Sequence, residues 1–345
     1  VSVIVPTYNR AGIVRAAIDS VLRQTYANVE VIVVDDGSTD DTRQVVEGYG
    51  APVRYLHQRN GGVSAARNFG FAHARGEFVA LLDSDDQFLP WKLDAQVRML
   101  REHPDVGMVW TDMTAIDEHG SIVQDRYLRT YYDAHALARL EEVFTPGGPL
   151  EGIFPDAPAS AKTAPVYRGD IFSQMLLGNL VHTSTVLLRR SRLREVGGFD
   201  TSLVHSGEDY EFHLRTCSYG PVALIDAPSL LYRIGAADQL TAPHLATYRS
   251  RNNLTTVLRW LERGRDRIRL SKSLLRFRLA QAYGWVGEAE LEYGDRRLAR
   301  ENLWKSLRYE VIGNRAALLL VFAILPAAAL PAARRLKRAI RRARG

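Results

Sequence analysis

The sequence is nearly without cysteine: Cys217 stands alone among 345 residues. That excludes a disulfide framework and a cysteine-ligated zinc site, and it makes a reducing compartment the expected setting. No secretory leader is expected, because the apolar residues 1–6 run directly into polar Thr7-Tyr8-Asn9-Arg10. Only one apolar run is long, residues 316–333, and Pro326 and Pro331 interrupt it. At about 18 residues it meets the lower limit for crossing a hydrocarbon layer of ~30 Å. The two prolines and the cationic end favour a re-entrant or interfacial segment over a straight span. A buried helical hairpin with a solvated tail is the alternative. Disorder and fibre formation are excluded by 46% hydrophobic and 24% charged residues.

Charge is present but unevenly spread. The net charge is +6, and the last twelve residues hold seven positive side chains: Arg334, Arg335, Lys337, Arg338, Arg341, Arg342 and Arg344. Residues 251–315 carry fifteen basic and eight acidic residues, which leaves residues 1–250 acidic on balance. A nucleic-acid binder lines its working face with basic residues, so the pattern argues against nucleic acid as a partner. It fits a soluble body tethered to an anionic membrane surface.

The first 110 residues alternate. Apolar runs at 1–5, 29–34, 53–57, 78–82 and 106–111 are spaced by helical patterns near 13–22, 40–49, 63–74 and 91–101. The runs are continuously apolar, as expected of strands covered on both faces. Such alternation predicts an α/β fold with a parallel sheet and right-handed crossovers. Beyond it, 117–120 reads as a hairpin turn, and 144–170, rich in Pro, Gly and Ala, as a long loop. Apolar character resumes at 180–188, and 247–308 reads as helical, with breaks expected at Tyr283-Gly284-Trp285 and at Gly294-Asp295.

Polar clusters fall at the carboxyl ends of the predicted strands, where open α/β sheets bind ligands. They are Thr7-Tyr8-Asn9, Asp35-Asp36-Gly37-Ser38 and Asp83-Ser84-Asp85-Asp86. Three carboxylates in four residues suit a hard divalent cation held together with substrate phosphate oxygens, or equally a helix-start cluster. Asp36 can accept from a base N–H or a ribose hydroxyl, or simply shape a turn. Gly61-Gly62 opens a helix bearing Arg67, which suits a phosphate but is also an ordinary loop-to-helix junction. Glu208-Asp209 can deprotonate an acceptor hydroxyl, or stand as a surface acidic pair. His182 can line an acceptor site or fill a strand end.

Taken in order, Val3-Ile4-Val5-Pro6-Thr7-Tyr8-Asn9, Val33-Val34-Asp35-Asp36-Gly37-Ser38, Gly61-Gly62 with Ala66-Arg67-Asn68, Leu82-Asp83-Ser84-Asp85-Asp86, Gly197-Gly198-Phe199-Asp200 and Glu208-Asp209 resemble glycosyltransferase family 2. These are inverting enzymes of the GT-A fold. The resemblance covers roughly residues 1–235. It implies a GT-A domain at 1–245, with a nucleotide-binding half at 1–112 and an acceptor-binding half at 113–245. A helical region at 246–312 and a membrane-associating segment at 313–345 would follow. The resemblance further implies a nucleotide-sugar site made by Pro6, Tyr8, Asp36, Arg67, Asp83 and Arg233. The Tyr8 ring would lie against the base and Asp36 would accept from it, most often from uracil. Asp85, supported by Asp86, would bind Mn²⁺ or Mg²⁺, and Asp209, beside Glu208, would be the general base.

Two departures matter. Family members often carry a histidine close to the arginine at the position of Arg233, whereas Ile234-Gly235-Ala236 follow here. His244 is the next candidate for that role. The Gln-x-x-Arg-Trp signature of processive synthases is missing, since Thr256-Val257-Leu258 precede Arg259-Trp260. The expected activity is therefore transfer of one or a few sugars from a nucleotide sugar, UDP-linked by preference, to a glycan or lipid-linked acceptor. The expected location is the cytoplasmic face of the cell membrane. The other reading is a non-catalytic nucleotide-binding membrane scaffold of the same fold.

Overall fold

A computed structural model describes residues 1–235, 245–310 and 315–325. The chain divides into two units, Val1–Gln239 with Asp266–Ile268, and Leu240–Arg265 with Arg269–Gly345. His244 and the polybasic residues 334–345 lie outside the described residues.

In the first unit, four strands run parallel: β1 (Ser2–Thr7), β2 (Glu30–Asp35), β3 (Val53–His57) and β4 (Phe78–Leu81). Every residue of β1 and β4 is buried, which is why these segments read as unbroken apolar runs. Helices α1 (Val14–Leu22), α2 (Thr42–Glu47), α3 (Val63–His73) and α4 (Lys92–Glu102) connect and follow them. The predicted alternation holds within a residue or two at most boundaries.

The sheet continues with β5 (Gln87–Phe88), β6 (Met108–Ile116), β7 (Ile122–Gln124), β8 (Thr145–Pro149), β9 (Pro165–Gly169), β10 (Leu187–Arg189) and β11 (Val222–Arg233). Its order is β3-β2-β1-β4-β10-β6-β11-β9-β8, with β5 paired to β11 and β7 to β6. The sheet is mostly parallel, as expected of a GT-A fold, with antiparallel strands added. β10 inserts antiparallel between β4 and β6, with Leu187 opposite both Ala80 and Val109. The consequence is that β4, β6 and β11 still point the same way, so their carboxyl ends share one edge with those of β1 and β2.

The 144–170 stretch, expected to be a loop, supplies β8 and β9. β8 is the edge strand, which is where prolines lacking a ladder N–H are tolerated. The 117–120 turn is a hairpin as expected, joining antiparallel β6 and β7 with Gly120 at φ 84°. Short helices α5 (Leu128–Tyr131), α6 (His135–Ala138), α7 (Leu140–Val143) and α8 (Phe172–Met175) precede β10, and α9 (Arg190–Val196) and α10 (Glu208–Cys217) follow it.

The second unit contains α11 (Ala246–Arg263), α12 (Lys272–Tyr293), α13 (Arg296–Tyr309) and α14 (Ala316–Ile324). Gly294-Asp295 breaks the chain as expected, with the Asp295 carboxylate capping α13 through the N–H groups of Arg297 and Leu298 at 2.6 and 3.1 Å. Tyr283-Gly284-Trp285 does not break it, and α12 runs straight through. The glycines there serve close packing. A Cβ at Gly287 would stand 2.6 Å from Leu303 Cγ on α13.

Candidate active site

The shared carboxyl edge of the sheet collects the polar clusters. Arg67 on α3 is its organising charge. It is 3% exposed and bonds Asp83 Oδ1 at 2.7 Å through Nη2 and Glu208 Oε1 at 3.0 Å through Nη1. Its guanidinium lies 5.0 Å from the centroid of Phe199, a ring stacked on Phe71 and Phe212. One buried cation thus joins the loop after β4 to the start of α10, which are 125 residues apart in sequence. Burial alone would raise the Asp83 carboxyl, but Arg67 outweighs it and holds the group below the ordinary carboxylate range.

Glu208 and Asp209 open α10 yet are not a surface pair. Glu208 is buried against Arg67. Asp209 keeps part of its surface open, and Asn179 Nδ2 donates to its Oδ2 at 3.2 Å. Burial first, and then the adjacent Glu208 charge, push the Asp209 carboxyl up to about 7. Of the two, Glu208 is engaged by Arg67, whereas Asp209 is poised to take a proton near neutral pH.

The three acids after β4 diverge. Asp83 turns to Arg67. Asp85 is partly open, with Arg10 Nη1 at 3.9 Å from its Oδ2. Asp86 is buried, its Oδ1 accepting from the Arg233 N–H at 3.2 Å, while its Oδ2 has no partner among the described residues. Burial, and then the charges of Asp85 and Asp83, push the Asp86 carboxyl well above its usual range. Among the described residues, no group of three or more His, Cys, Asp or Glu side chains is arranged around a metal position. The carboxylate here that fits a divalent ion is that of Asp85, which is only partly buried and would be joined by phosphate oxygens and water. Ser184, on the turn before β10, accepts from the Asp83 N–H at 3.0 Å and fixes this loop.

Asp36 closes a different contact. Its Oδ1 accepts from Gln58 Nε2 and the Gly61 N–H at 2.7 and 2.9 Å, and its Oδ2 from the Gly62 N–H at 2.8 Å. The glycine amides that suited a phosphate are therefore turned to Asp36. A carboxylate offers about four acceptor positions, so one remains, on Oδ2. Pro6 is buried at the end of β1, and Tyr8 beyond it is 48% exposed with its ring open. The Arg233 guanidinium meets the carbonyls of Asp85, Asp117 and Glu118 at 3.3, 3.0 and 2.7 Å. It ties the β6–β7 hairpin turn to the acidic loop.

Several participants carried no role in the sequence reading. Arg10 sits one residue past the Tyr8-Asn9 cluster, and that position was its only signal. Asn68 clamps the Gly197–Asp200 turn, donating to Phe199 O at 2.9 Å and accepting from Phe199 N at 2.7 Å. His213 is fully buried on α10 against Thr183 Oγ1 at 3.2 Å. Burial lowers its pKa to about 3 and that of His182 to about 4, so both rings stay neutral.

Residues 2–152 match the family model described as glycosyl transferase family 2. That segment of the first unit carries a glycosyltransferase family 2 domain. An uncharacterised glycosyltransferase of Rickettsia typhi is 32% identical over 215 residues, 62% of this chain and 58% of the relative. The chain spans less than two thirds of the length of the Rickettsia relatives that it matches. Its fold is that of GT-A glycosyltransferases. A structure of S. aureus TarS with UDP-GlcNAc superposes with a TM-score of 0.53 at 18% identity, covering 93% of this chain and 90% of that one. The mannosyltransferase PcManGT of Pyrobaculum calidifontis, in complex with GDP-Man and Mn²⁺, gives 0.52 at 20% identity, covering 95% and 80%.

Proposed function

We propose that this chain transfers a sugar from a nucleotide-sugar donor, UDP-linked by preference, to a hydroxyl of a glycan or lipid-linked acceptor, with inversion at the anomeric carbon. The observation that carries the reading is the Asp209 carboxyl, raised to about 7 beside the Arg67 bridge that fixes Asp83. An acid with a pKa raised to about 7 in the first turn of α10, beside Arg67, is suited to general-base work.

In this reading Tyr8 covers the base and the remaining acceptor position of Asp36 Oδ2 takes its N–H. Asp83, held ionised by Arg67, faces the ribose. Asp85 would hold Mn²⁺ or Mg²⁺, which when bound offsets charge developing on the diphosphate. Asp86, buried and partnered by the Arg233 N–H, keeps that loop in shape rather than ligating. Asp209 removes the proton from the acceptor hydroxyl as that oxygen attacks from the face opposite the leaving diphosphate. The TarS complex with UDP-GlcNAc and the PcManGT complex with GDP-Man and Mn²⁺ support a nucleotide-sugar donor here. The same reading places the working enzyme at the cytoplasmic membrane face, on the strength of the basic tail.

The test is a thermal-shift panel of UDP, dTDP, GDP and ADP, each with Mn²⁺ and with chelator, since a ligand that binds only the native state raises its stability. One nucleotide should stabilise the wild type in the presence of Mn²⁺, and Asp85→Asn should lose the metal-dependent part. No shift with any nucleotide would reject the donor site and leave a scaffold of the same fold. An unchanged Mn²⁺ effect in Asp85→Asn would reject Asp85 as the ligand.

A further inference from the structure

Residues 126–132 supply three tyrosines in seven positions and have no part in the donor site. The segment is fixed firmly. Arg126 and Arg129 both pair with Asp226 on β11, at 3.1 and 2.8 Å. The Tyr127 N–H donates to Met113 O at 2.7 Å and the Leu128 N–H to Asp112 Oδ1 at 3.0 Å. Leu128 is the residue that this segment buries, while Tyr127, Tyr131 and Tyr132 remain half-buried. So anchored, the tyrosines form a continuous aromatic wall. Tyr131 meets Tyr132 edge-on at 4.7 Å, Tyr232 at 5.4 Å and His182 at 5.9 Å, and Tyr127 stacks on Tyr232 at 6.2 Å.

The wall stands at the catalytic edge on three independent counts. Tyr232 directly precedes Arg233, whose N–H holds Asp86. His182 lies two residues before Ser184, which holds the Asp83 N–H. The Tyr132 hydroxyl lies within the electrostatic reach of Asp209 and Asp83. His182 Nδ1 in the wall is fully shielded from solvent and has no partner among the described residues, and the Tyr132 side chain is half-buried. A packing cluster would satisfy such a nitrogen or omit it. The hydroxyl of a half-buried tyrosine at that edge can meet a ligand. Tyrosine combines a flat apolar face with a hydrogen-bonding tip, which matches a pyranose ring with its apolar C–H face and its rim of hydroxyls.

We propose that Tyr131 and Tyr132, backed by Tyr127, Tyr232 and His182, form a platform that seats the terminal pyranose of a glycan acceptor and presents its hydroxyl to Asp209. This rests on the reading of Asp209 as the base. The acceptor is thereby narrowed to one that ends in a sugar ring. Tyr132 sets its orientation through the hydroxyl and Tyr131 through the ring.

The experiment is saturation-transfer NMR and calorimetry on the full chain with UDP and Mn²⁺, titrated with a panel of methyl glycosides (glucoside, galactoside, mannoside and N-acetylglucosaminide). At least one glycoside should bind the wild type. Tyr132→Phe should weaken it about three- to tenfold, the worth of one neutral hydrogen bond. Tyr131→Leu should weaken it further, and both variants should keep their UDP affinity. Binding of no glycoside by the wild type, or equal binding by Tyr132→Phe and Tyr131→Leu, overturns the platform. Loss of UDP affinity in Tyr132→Phe also overturns it, by making the residue part of the donor site. A wild type that binds no nucleotide fails the donor reading, and the glycoside titration alone then decides whether the platform survives it.

Discussion

Glu208 and Asp209 begin the same helix but meet different partners. The Arg67 guanidinium neutralises Glu208 at 3.0 Å, while Asp209 carries the residual repulsion and the cost of burial. A base with a pKa of about 7 works only when deprotonated, so turnover should fall as pH drops below neutrality. Asp209→Asn should lower turnover by at least ~10²-fold, the lower range for a lost general base. The same change should raise the melting temperature at pH 8. The sign follows from linkage: a carboxyl whose folded pKa lies above its unfolded value of about 3.9 is destabilising when ionised. The penalty is absent below the unfolded pKa, grows between the two pKa values, and is constant above about 7. The gain from asparagine should therefore vanish near pH 4 and level off above neutrality. Melting curves across that range decide it, and a gain independent of pH would mean that Asp209 is not the strained group.

At the scale of elements, the sheet and α10 are held in register by a turn that tolerates no extra carbon. A Cβ at Gly198 would lie 2.4 Å from Asn68 Oδ1, the atom that accepts from Phe199 N. Gly198→Ala should displace Asn68, release the Phe199 ring from beneath Arg67, and cost about 1–3 kcal/mol, the usual range for overpacking. The mechanism is specific, so it predicts non-additivity: combined with Asn68→Ala, the alanine at 198 should cost much less. An equal cost in both backgrounds, read from denaturant unfolding, would remove the clash as its cause. This turn also marks where the sequence was legible. Its glycines and the acidic pair after it could be placed in order with the strand-end clusters, because strands covered on both faces write themselves as apolar runs. The insertion of β10 could not be read, since Leu187–Arg189 is three residues long and its pairing with β4 and β6 is set by contacts some hundred residues away. Nor could the pairing of β8 and β9, where proline and glycine mimic a loop. At the site, Asp83, Arg67 and Asp209 were legible as residue types at strand and helix ends. The commitment of Asp36 to the Gly61 and Gly62 amides, and the aromatic wall, depend on side-chain directions that a sequence does not carry.

At the scale of the whole molecule, the acidic body and the basic end were apparent at once from the charge distribution, whereas the fate of the apolar run was not. Residues 316–324 form a helix that is already in use. Ala316, Leu319, Leu320, Phe322 and Ala323 pack with Leu303 in the core of the second unit. A bilayer span beginning at Ala316 would have to pull that helix out of its own core, and among the described residues no helix is long and apolar enough to cross a membrane. What α14 leaves outward is a stripe of Leu318, Val321 and Ile324, the last 63% exposed, a spacing that faces one side of a helix. If the chain works at a membrane surface, the seven basic residues at 334–345, with no acidic residue among them, are the densest positive charge it can bring to that surface. Each contributes about 1 kcal/mol near an anionic leaflet, and that contribution falls with ionic strength. Removing residues 326–345 should abolish sedimentation with phosphatidylglycerol-containing vesicles while leaving UDP-dependent stabilisation intact. For the intact chain, raising the salt should release the protein as truncation does, because screening and truncation remove the same force. Retention of the truncated chain on vesicles at high salt would instead assign the attachment to the Leu318–Val321–Ile324 stripe and its apolar contact with lipid.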